Sequence, residues 1–151
     1  MYPVIRRKRI LWINPDTGEL IRSGAFRAFR KPESVFQELY RIRSYVTHPN
    51  FRLCIVVMDA EDFRRENSRT TKIDRIPTAL IDVQYYAVPS DFRVFLPDGL
   101  PETFSSAQLA KIRKISRTDA QQLLRMLVLL GQAEVIGKDG RTNIYRRCPA
   151  D

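Results

Sequence analysis

The sequence predicts an α+β protein, with a small β-β-α-β-β unit over residues 1–97 and two helices plus a hairpin over residues 98–151. Three observations support this. The N-terminal segment combines strand formers with turn residues, the middle contains a continuous apolar run, and the C-terminal segment changes from helical to hairpin periodicity. A chain of 151 residues can form one domain with a real core, or two small units sharing an interface.

The N-terminal segment has the pattern of a β-hairpin. Residues 4–13 are rich in strand formers, the Asn-Pro-Asp-Thr-Gly run at 14–18 favours a turn, and residues 19–29 are the expected returning strand. A helix is predicted to open at Lys31-Pro32 and to stop by residues 47–50. Its apolar side is formed by Val35, Leu39 and Ile42.

Apolar segments predict the remaining strands of this unit. Residues 51–58, FRLCIVVM, have the continuous apolar character of a strand buried between layers, and we expect this strand to end at Asp59. Residues 76–88 form a second candidate strand and residues 92–95 a short third one. The polar residues 64–72 predict a loop.

Two short helices are predicted next. Ser105 and Ser106 can cap the first, and Ser116 can cap the second, which would end at Gly131. At about 100° per residue, one face of the second helix is apolar and carries Ala120, Leu123, Leu124 and Leu127. The opposite face carries side chains that can donate to base edges and phosphates, namely Arg117, Thr118, Gln121, Gln122 and Arg125.

A hairpin follows these helices. Residues 134–136 and 143–146 resemble short strands, and the Lys-Asp-Gly-Arg run at 138–141 is a strong hairpin signal. The order of elements resembles the winged helix-turn-helix family. The matching segments are SSAQLAKIRKISRTDAQQLLRMLVLLG for the helices and EVIGKDGRTNIYR for the hairpin, or wing, in the last third of the chain.

The resemblance implies binding to double-stranded DNA. In that family the second helix usually enters the major groove, which would place its polar face against bases. The wing rests on the backbone, which implies phosphate or minor-groove contacts from Lys138, Arg141 and Asn143. The family normally has a further helix before these two. Here LPDGLPETF precedes them, so that helix is missing or supplied by earlier sequence.

The front part of the chain resembles an uncharacterised group of prokaryotic proteins with an α/β front half and a winged C-terminus. The matching residues are Asn-Pro-Asp-Thr-Gly-Glu at 14–19, Leu-Tyr-Arg-Ile-Arg at 39–43 and His-Pro-Asn at 48–50. This resemblance implies the architecture and no particular function.

The net charge of +9 is concentrated at the two ends of the sequence. Residues 1–30 carry +5 and residues 104–147 carry +6, whereas residues 31–103 carry −1. Clustered positive charge favours a nucleic acid or another polyanion, with solubility alone as the other interpretation. Together with the helix-turn-helix pattern, it favours a DNA-binding regulator or accessory protein of a prokaryote or phage, with the front domain as a candidate homodimer surface.

A metal-dependent nuclease of the restriction-endonuclease type is the alternative. Asp59 and Asp82 at strand positions, with Gln84 nearby and Glu38 on a helix, supply the oxygen ligands that Mg²⁺ prefers. Ion pairing of strand-end acids is the simpler interpretation, with partners among Arg64, Arg65 and Arg75. A third alternative is a module that binds another protein.

Other classes of site find little support in the sequence. The scattered glycines form no phosphate-binding loop, and we expect no cofactor and no metal. Cys54 and Cys148 lack metal-ligand spacing to His48, which fits a reducing cytoplasm. No run is long and apolar enough to span a membrane. Trp12, Tyr85, Tyr86 and Tyr145 are candidates to stack on bases. The other interpretation is core packing of Trp12 and of one of the two adjacent tyrosines, which cannot both be core because neighbouring strand residues face opposite ways.

Overall fold

The computed structural model describes residues 1–66 and 72–149, and the chain divides into two compact units. Unit 1 comprises Met1–Pro32 and Cys54–Gln84, and unit 2 comprises Glu33–Leu53 and Tyr85–Asp151. Strands in two sheets and several helices make up the chain, so the predicted α+β class is confirmed. The division differs from the predicted boundary after residue 97, because each unit is assembled from two separate stretches of sequence.

Unit 1 is built on a five-stranded sheet. Its strands are β1 (Tyr2–Ile13), β2 (Leu20–Ser23), β3 (Arg27–Ala28), β4 (Leu53–Arg65) and β5 (Lys72–Tyr86). The order is β2-β1-β4-β5, with β3 also beside β1. β1 runs antiparallel to β2 and β3, and parallel to β4.

The predicted N-terminal hairpin is confirmed, except that the returning strand expected over residues 19–29 is divided into β2 and β3. The Asn14 carboxamide oxygen accepts the backbone N–H of Asp16 at 2.8 Å, as an Asx turn requires. Gly18 has φ +73°, the left-handed conformation that glycine adopts without a steric cost.

The apolar run of residues 51–58 lies in β4 as predicted, and its alternate side chains are buried. Ile55 is 0% exposed and Val57 is 4% exposed. The expected strand end at Asp59 is wrong, since β4 continues to Arg65. Of the expected loop over residues 64–72, the first two residues belong to β4 and Lys72 to β5, while residues 67–71 lie outside the described residues.

Ion pairs between β1 and β4 explain why β4 can continue through its acidic residues. Both Arg6 and Arg7 donate to the buried Asp59 carboxylate, with nitrogen–oxygen distances of 3.0 and 2.7 Å. Hydrogen bonds from these guanidinium groups lower the pKa of Asp59 from 3.8 to about 2. The pKa of Asp62 is likewise lowered to about 2, chiefly by the hydrogen bond from Arg75.

Two further bases complete this arrangement. Lys8 lies 3.2 Å from the Asp62 carboxylate, and Arg9 donates to Glu61. Because the side chains come from neighbouring strands in register, three acids of β4 are compensated by four bases of β1 and one of β5.

Unit 2 combines helices with a three-stranded antiparallel sheet of order β6-β8-β7. The helices are α1 (Val35–Arg41), α2 (Arg43–Val46), α3 (Ser106–Arg113) and α4 (Arg117–Leu129), and the strands are β6 (Thr103–Ser105), β7 (Ala133–Asp139) and β8 (Thr142–Arg147). The expected helix pair and hairpin are thus present. Within the described residues, no helix is long and apolar enough to cross a bilayer.

The helix predicted after Lys31-Pro32 is confirmed in position and differs in one residue of its apolar side. Val35 and Leu39 are buried, whereas Ile42 is 45% exposed. α1 ends at Arg41, so Ile42 falls at the break before α2 and leaves the helical face.

The short strand predicted over residues 92–95 is wrong. Pro89–Phe95 is a 3₁₀ helix, whose start is fixed by the Asp91 carboxylate accepting the backbone N–H groups of Ala87 and Val88. The segment contributes aromatic rings to the core of unit 2 instead of a strand. The rings of this cluster belong to Phe36, Tyr86, Phe92 and Phe95, with closest centroid distances of 4.8 and 5.0 Å.

Because alternate side chains of β4 are buried, aspartate substitutions at neighbouring positions should destabilise unit 1 to very different extents. Ile55→Asp places an unpaired carboxylate in a fully buried position, which costs several kcal/mol and should unfold unit 1. Val56→Asp, at the adjacent and half-buried position, is the matched control and should cost much less. Thermal melts followed by circular dichroism measure both, and equal melting temperatures for the two variants would contradict this account of the core.

The Asp59 ion pair predicts a loss of stability in acid. Its folded pKa of about 2 lies below the ordinary value of 3.8, so its contribution is present above pH 4 and disappears as the pH falls towards 2. The contribution is about 2 kcal/mol. The pH dependence of the free energy of unfolding, measured in urea between pH 2 and 5, gives the number of protons taken up on unfolding. This number should be about one lower in Asp59→Asn than in the parent. Equal proton uptake in the two proteins would contradict this account of the ion pair.

Candidate nucleic-acid interface

α4 presents the polar face that its sequence predicts. Ser116 caps it, since its hydroxyl accepts the backbone N–H of Asp119 at 3.0 Å. The apolar face is fully buried, and it contains Ala120, Leu123, Leu124 and Leu127. On the other side the exposed residues are Arg117, Thr118, Gln121 and Arg125.

Gln122 departs from this pattern. It is half-buried, and its carboxamide oxygen is buried with no hydrogen-bond partner in the described part of the chain. Gln122 lies one turn before Met126, which is 0% exposed, and so stands at the border of the buried face. The prediction that Gln122 lies on the open polar face is therefore wrong.

A further helix of unit 2, α1, comes from earlier sequence. It packs against α4 within unit 2, where Gln37 donates to the Asp119 carboxylate and the Tyr40 ring lies 5.4 Å from the Arg125 guanidinium. Arg125 remains exposed despite its contact with Tyr40, so this contact lies at the edge of the polar face. Earlier sequence thus completes a three-helix arrangement and leaves the polar side of α4 uncovered.

The β7–β8 hairpin carries the second part of the predicted interface. Lys138 pairs with Asn143 across the hairpin, and Gly140, with φ +57°, allows the tight turn. Lys138 and Arg141 are exposed at this tip. Asn143 is half-buried and its amide lies 3.5 Å from the Tyr145 hydroxyl, so it is only partly available.

The basic residues of the predicted interface differ from their neighbours in ion pairing. Arg146 is paired with Glu134 at 2.7 Å and Arg147 with Asp98 at 3.5 Å. Within the described residues, by contrast, no ion pair involves the predicted contacts Arg117, Arg125, Lys138 and Arg141. Their charges are therefore available to an external anion. Lys111, exposed on α3, is a further candidate that the sequence pattern missed.

The residues of the nuclease alternative have other partners. Asp59 lies inside β4 and is held by Arg6 and Arg7, not by the arginines that follow it in sequence. Asp82 is exposed and accepts a hydrogen bond from the Gln84 amide at 2.7 Å.

Glu38 belongs to unit 2, where it pairs with Arg41 at 2.9 Å. Across residues 1–66 and 72–149, no three His, Cys, Asp or Glu side chains are grouped as metal ligands. The chemistry of these acids is that of ion pairs and hydrogen bonds.

The remaining sequence candidates have structural surroundings. His48 lies in a turn, where its Nδ1 accepts the backbone N–H of Asn50 at 3.1 Å. Cys54 and Cys148 are free thiols of intermediate exposure. Tyr86 is 7% exposed and Tyr85 is 74% exposed, which confirms that only one of the pair is core. Trp12 is half-buried and stacks with Arg22.

Comparison with known proteins gives one match. Neither the curated proteins nor the solved structures contain a match to the chain. A family model described as Domain of unknown function (DUF8091) matches residues 1–89. This segment contains the described strands of unit 1 together with α1 and α2 of unit 2, and it ends before α3. Because the match spans more than half of the sequence, the chain belongs to the DUF8091 family.

Proposed function

We propose that unit 2 is a winged helix-turn-helix that binds double-stranded DNA. The observation that carries the proposal is the uncovered polar side of α4 together with the exposed tip of the hairpin in the same unit. Within the described residues, Arg117, Arg125, Lys138 and Arg141 of these two surfaces form no ion pair. An α-helix fits the major groove, and a hairpin tip of this kind can follow the backbone.

The side chains of α4 have the chemistry for base contacts. Arginine can donate two hydrogen bonds to guanine, and glutamine can pair with adenine. Arg117, Gln121 and Arg125 recur on one side of the helix and would face successive bases. Thr118 is suited to a phosphate or to a thymine methyl group.

The wing and the first helix of the pair would provide affinity more than specificity. Lys138 and Arg141 are exposed cations at the hairpin tip, and Lys111 is an exposed cation on α3. Contacts of such side chains with phosphates release counterions, which strengthens binding to every sequence at low salt.

A protein-binding role has one observation in its favour. Three large apolar side chains of α4 and β7 are exposed by 43–47%, namely Leu129, Val135 and Ile136. Exposed apolar groups on neighbouring elements are typical of interfaces. Self-association in light scattering that is lost in Leu129→Ser/Val135→Ser, with no affinity for duplex DNA, would favour this second candidate.

Duplex binding is predicted to depend on the unpaired cations. In electrophoretic shifts with random duplex DNA across a salt series, Arg117→Ala/Arg125→Ala/Arg141→Ala should bind far more weakly than the parent. Arg141→Glu alone should flatten the slope of log affinity against log salt by roughly one unit. Arg52→Glu, an exposed arginine that donates to nearby carbonyls, is the control and should retain the parent affinity. Unchanged binding in the triple variant would remove the proposal.

We expect no metal-dependent cleavage of DNA. A nuclease needs carboxylates free to converge on a metal, whereas the Asp59 carboxylate is occupied by two guanidinium groups. Supercoiled and linear DNA incubated with the protein in Mg²⁺ or Mn²⁺ should stay intact. Nicking by the parent that disappears in Asp59→Ala/Asp82→Ala would instead establish the nuclease alternative.

A further inference from the structure

Unit 1 contains a cavity of about 340 Å³ on one side of β1. Its floor is formed by Ile10 and Trp12, and its wall by Gly24 and Ala25 between β2 and β3. A side-chain carbon at Gly24 would lie 3.3 Å from the Ile10 carbonyl oxygen and 3.6 Å from the Trp12 ring, so a larger residue there would press on the floor. The volume falls in the range of small-molecule sites.

The rim of this cavity is basic. Arg27 of β3 lines it and is exposed. Arg22 does not line the cavity but adjoins it, because its guanidinium lies over the Trp12 ring, 3.8 Å from the ring centre. Neither arginine has an ion-pair partner in the described part of unit 1. Lys8 also lines the cavity, but Asp62 compensates its charge.

The arm around the cavity concentrates the uncompensated charge of unit 1. The acids of β4 compensate bases of β1, whereas residues 20–30, LIRSGAFRAFR, contain three arginines and no acid. Aromatic and basic residues alternate in the last five of them. This segment therefore offers positive charge and aromatic surface together, the combination that binds single-stranded nucleic acids.

The aromatic rings of the arm lie on opposite faces of the sheet. The Arg9 guanidinium carbon lies 4.9 Å from the centre of the Phe26 ring, whereas the Lys8 Nζ lies 3.7 Å from the centre of the Phe29 ring. Since consecutive residues of β1 point to opposite faces, Phe29 shares the cavity face with Lys8 and Trp12. Phe29 is 40% exposed, and the cationic groups of Lys8, Arg30 and Arg75 lie 3.7–5.6 Å from the centre of its ring.

We propose that this cavity of unit 1 takes an unpaired base of single-stranded nucleic acid, with the base against Trp12 and the phosphates on Arg22 and Arg27. An unpaired base has both faces free for stacking, whereas a base inside a duplex is covered by its neighbours. The site is separate from the duplex-binding surface proposed for unit 2 and uses none of its residues. DNA and RNA share the required chemistry.

The single tryptophan of the chain makes the site directly observable. Titration with an oligothymidylate or an oligouridylate of about 12 nucleotides, within the range of common single-strand sites, should quench the Trp12 fluorescence to saturation. Fluorescence anisotropy of the same labelled oligonucleotides gives the affinity independently. The two probes decide between DNA and RNA as the preferred ligand.

Variants then separate stacking from charge. Trp12→Ala should weaken oligonucleotide binding roughly 10-fold or more, and Trp12→Phe much less. Arg27→Glu, at an exposed position that should not affect folding, should weaken binding and flatten the salt slope by about 0.7 units. Arg52→Glu makes the same charge change outside unit 1 and is the matched control. The Arg117→Ala/Arg125→Ala/Arg141→Ala variant should lose duplex binding and retain the oligonucleotide.

Several results would overturn the proposal. One is the absence of quenching and anisotropy change at low salt. A second is an equal loss of affinity in Arg27→Glu and Arg52→Glu, which would show attraction by net charge alone. A third is quenching by anionic phosphatidylserine vesicles with none by either oligonucleotide, which would identify the cavity face as a membrane contact.

Discussion

The architecture of unit 2 depends on one buried ion pair. The Glu33 carboxylate, at a residue only 4% exposed, is held by the Arg113 guanidinium through two nitrogens, one at 2.8 Å. Arg113 also lies over the Phe95 ring, and Phe95 packs against Phe36 of α1. The contact thus joins the start of the α1 segment to the end of α3. Removing Arg113 would leave the buried Glu33 carboxylate uncompensated, a penalty of several kcal/mol.

The sequence predicts well those parts of the fold that depend on local residues, and fails where a distant contact such as this ion pair decides the structure. The N-terminal hairpin, β4, α4 and the β7–β8 hairpin follow from turn residues and periodicity, which are local. The assignment of α1 to unit 2 could not be predicted, because Glu33 and Arg113 are distant in sequence and nothing local pairs them. The strand predicted over residues 92–95 is the 3₁₀ helix Pro89–Phe95 in the structure. The phenylalanines of this segment pack in the aromatic cluster, so their positions do not reflect the alternation of a strand.

The candidate sites show the same limit. Periodicity correctly places four of five polar residues on the open side of α4, and fails at Gln122, where burial depends on the neighbouring Met126. For Asp59, proximity in sequence favours the arginines that follow it in the chain, whereas the parallel register brings in Arg6 and Arg7 of β1. Charge counts alone cannot distinguish these compensated arginines from Arg27 or Arg141, because the distinction depends on which strand lies next to which.

The division of the basic residues into paired and unpaired cations connects the two proposals to the fold. β1 is very basic, yet its cations neutralise the acids of β4 and hold two parallel strands together. Within the residues that the structure describes, exposed cations that form no ion pair lie on the β2–β3 arm in unit 1, and on α4 and the hairpin tip in unit 2. Each exposed set also carries the chemistry for a different form of nucleic acid, aromatic rings on the arm and hydrogen-bonding side chains on a helix. If both proposals hold, the same excess of positive charge serves structure at β1 and recognition at these two surfaces, and the adjacent side chains determine which form of nucleic acid each surface binds.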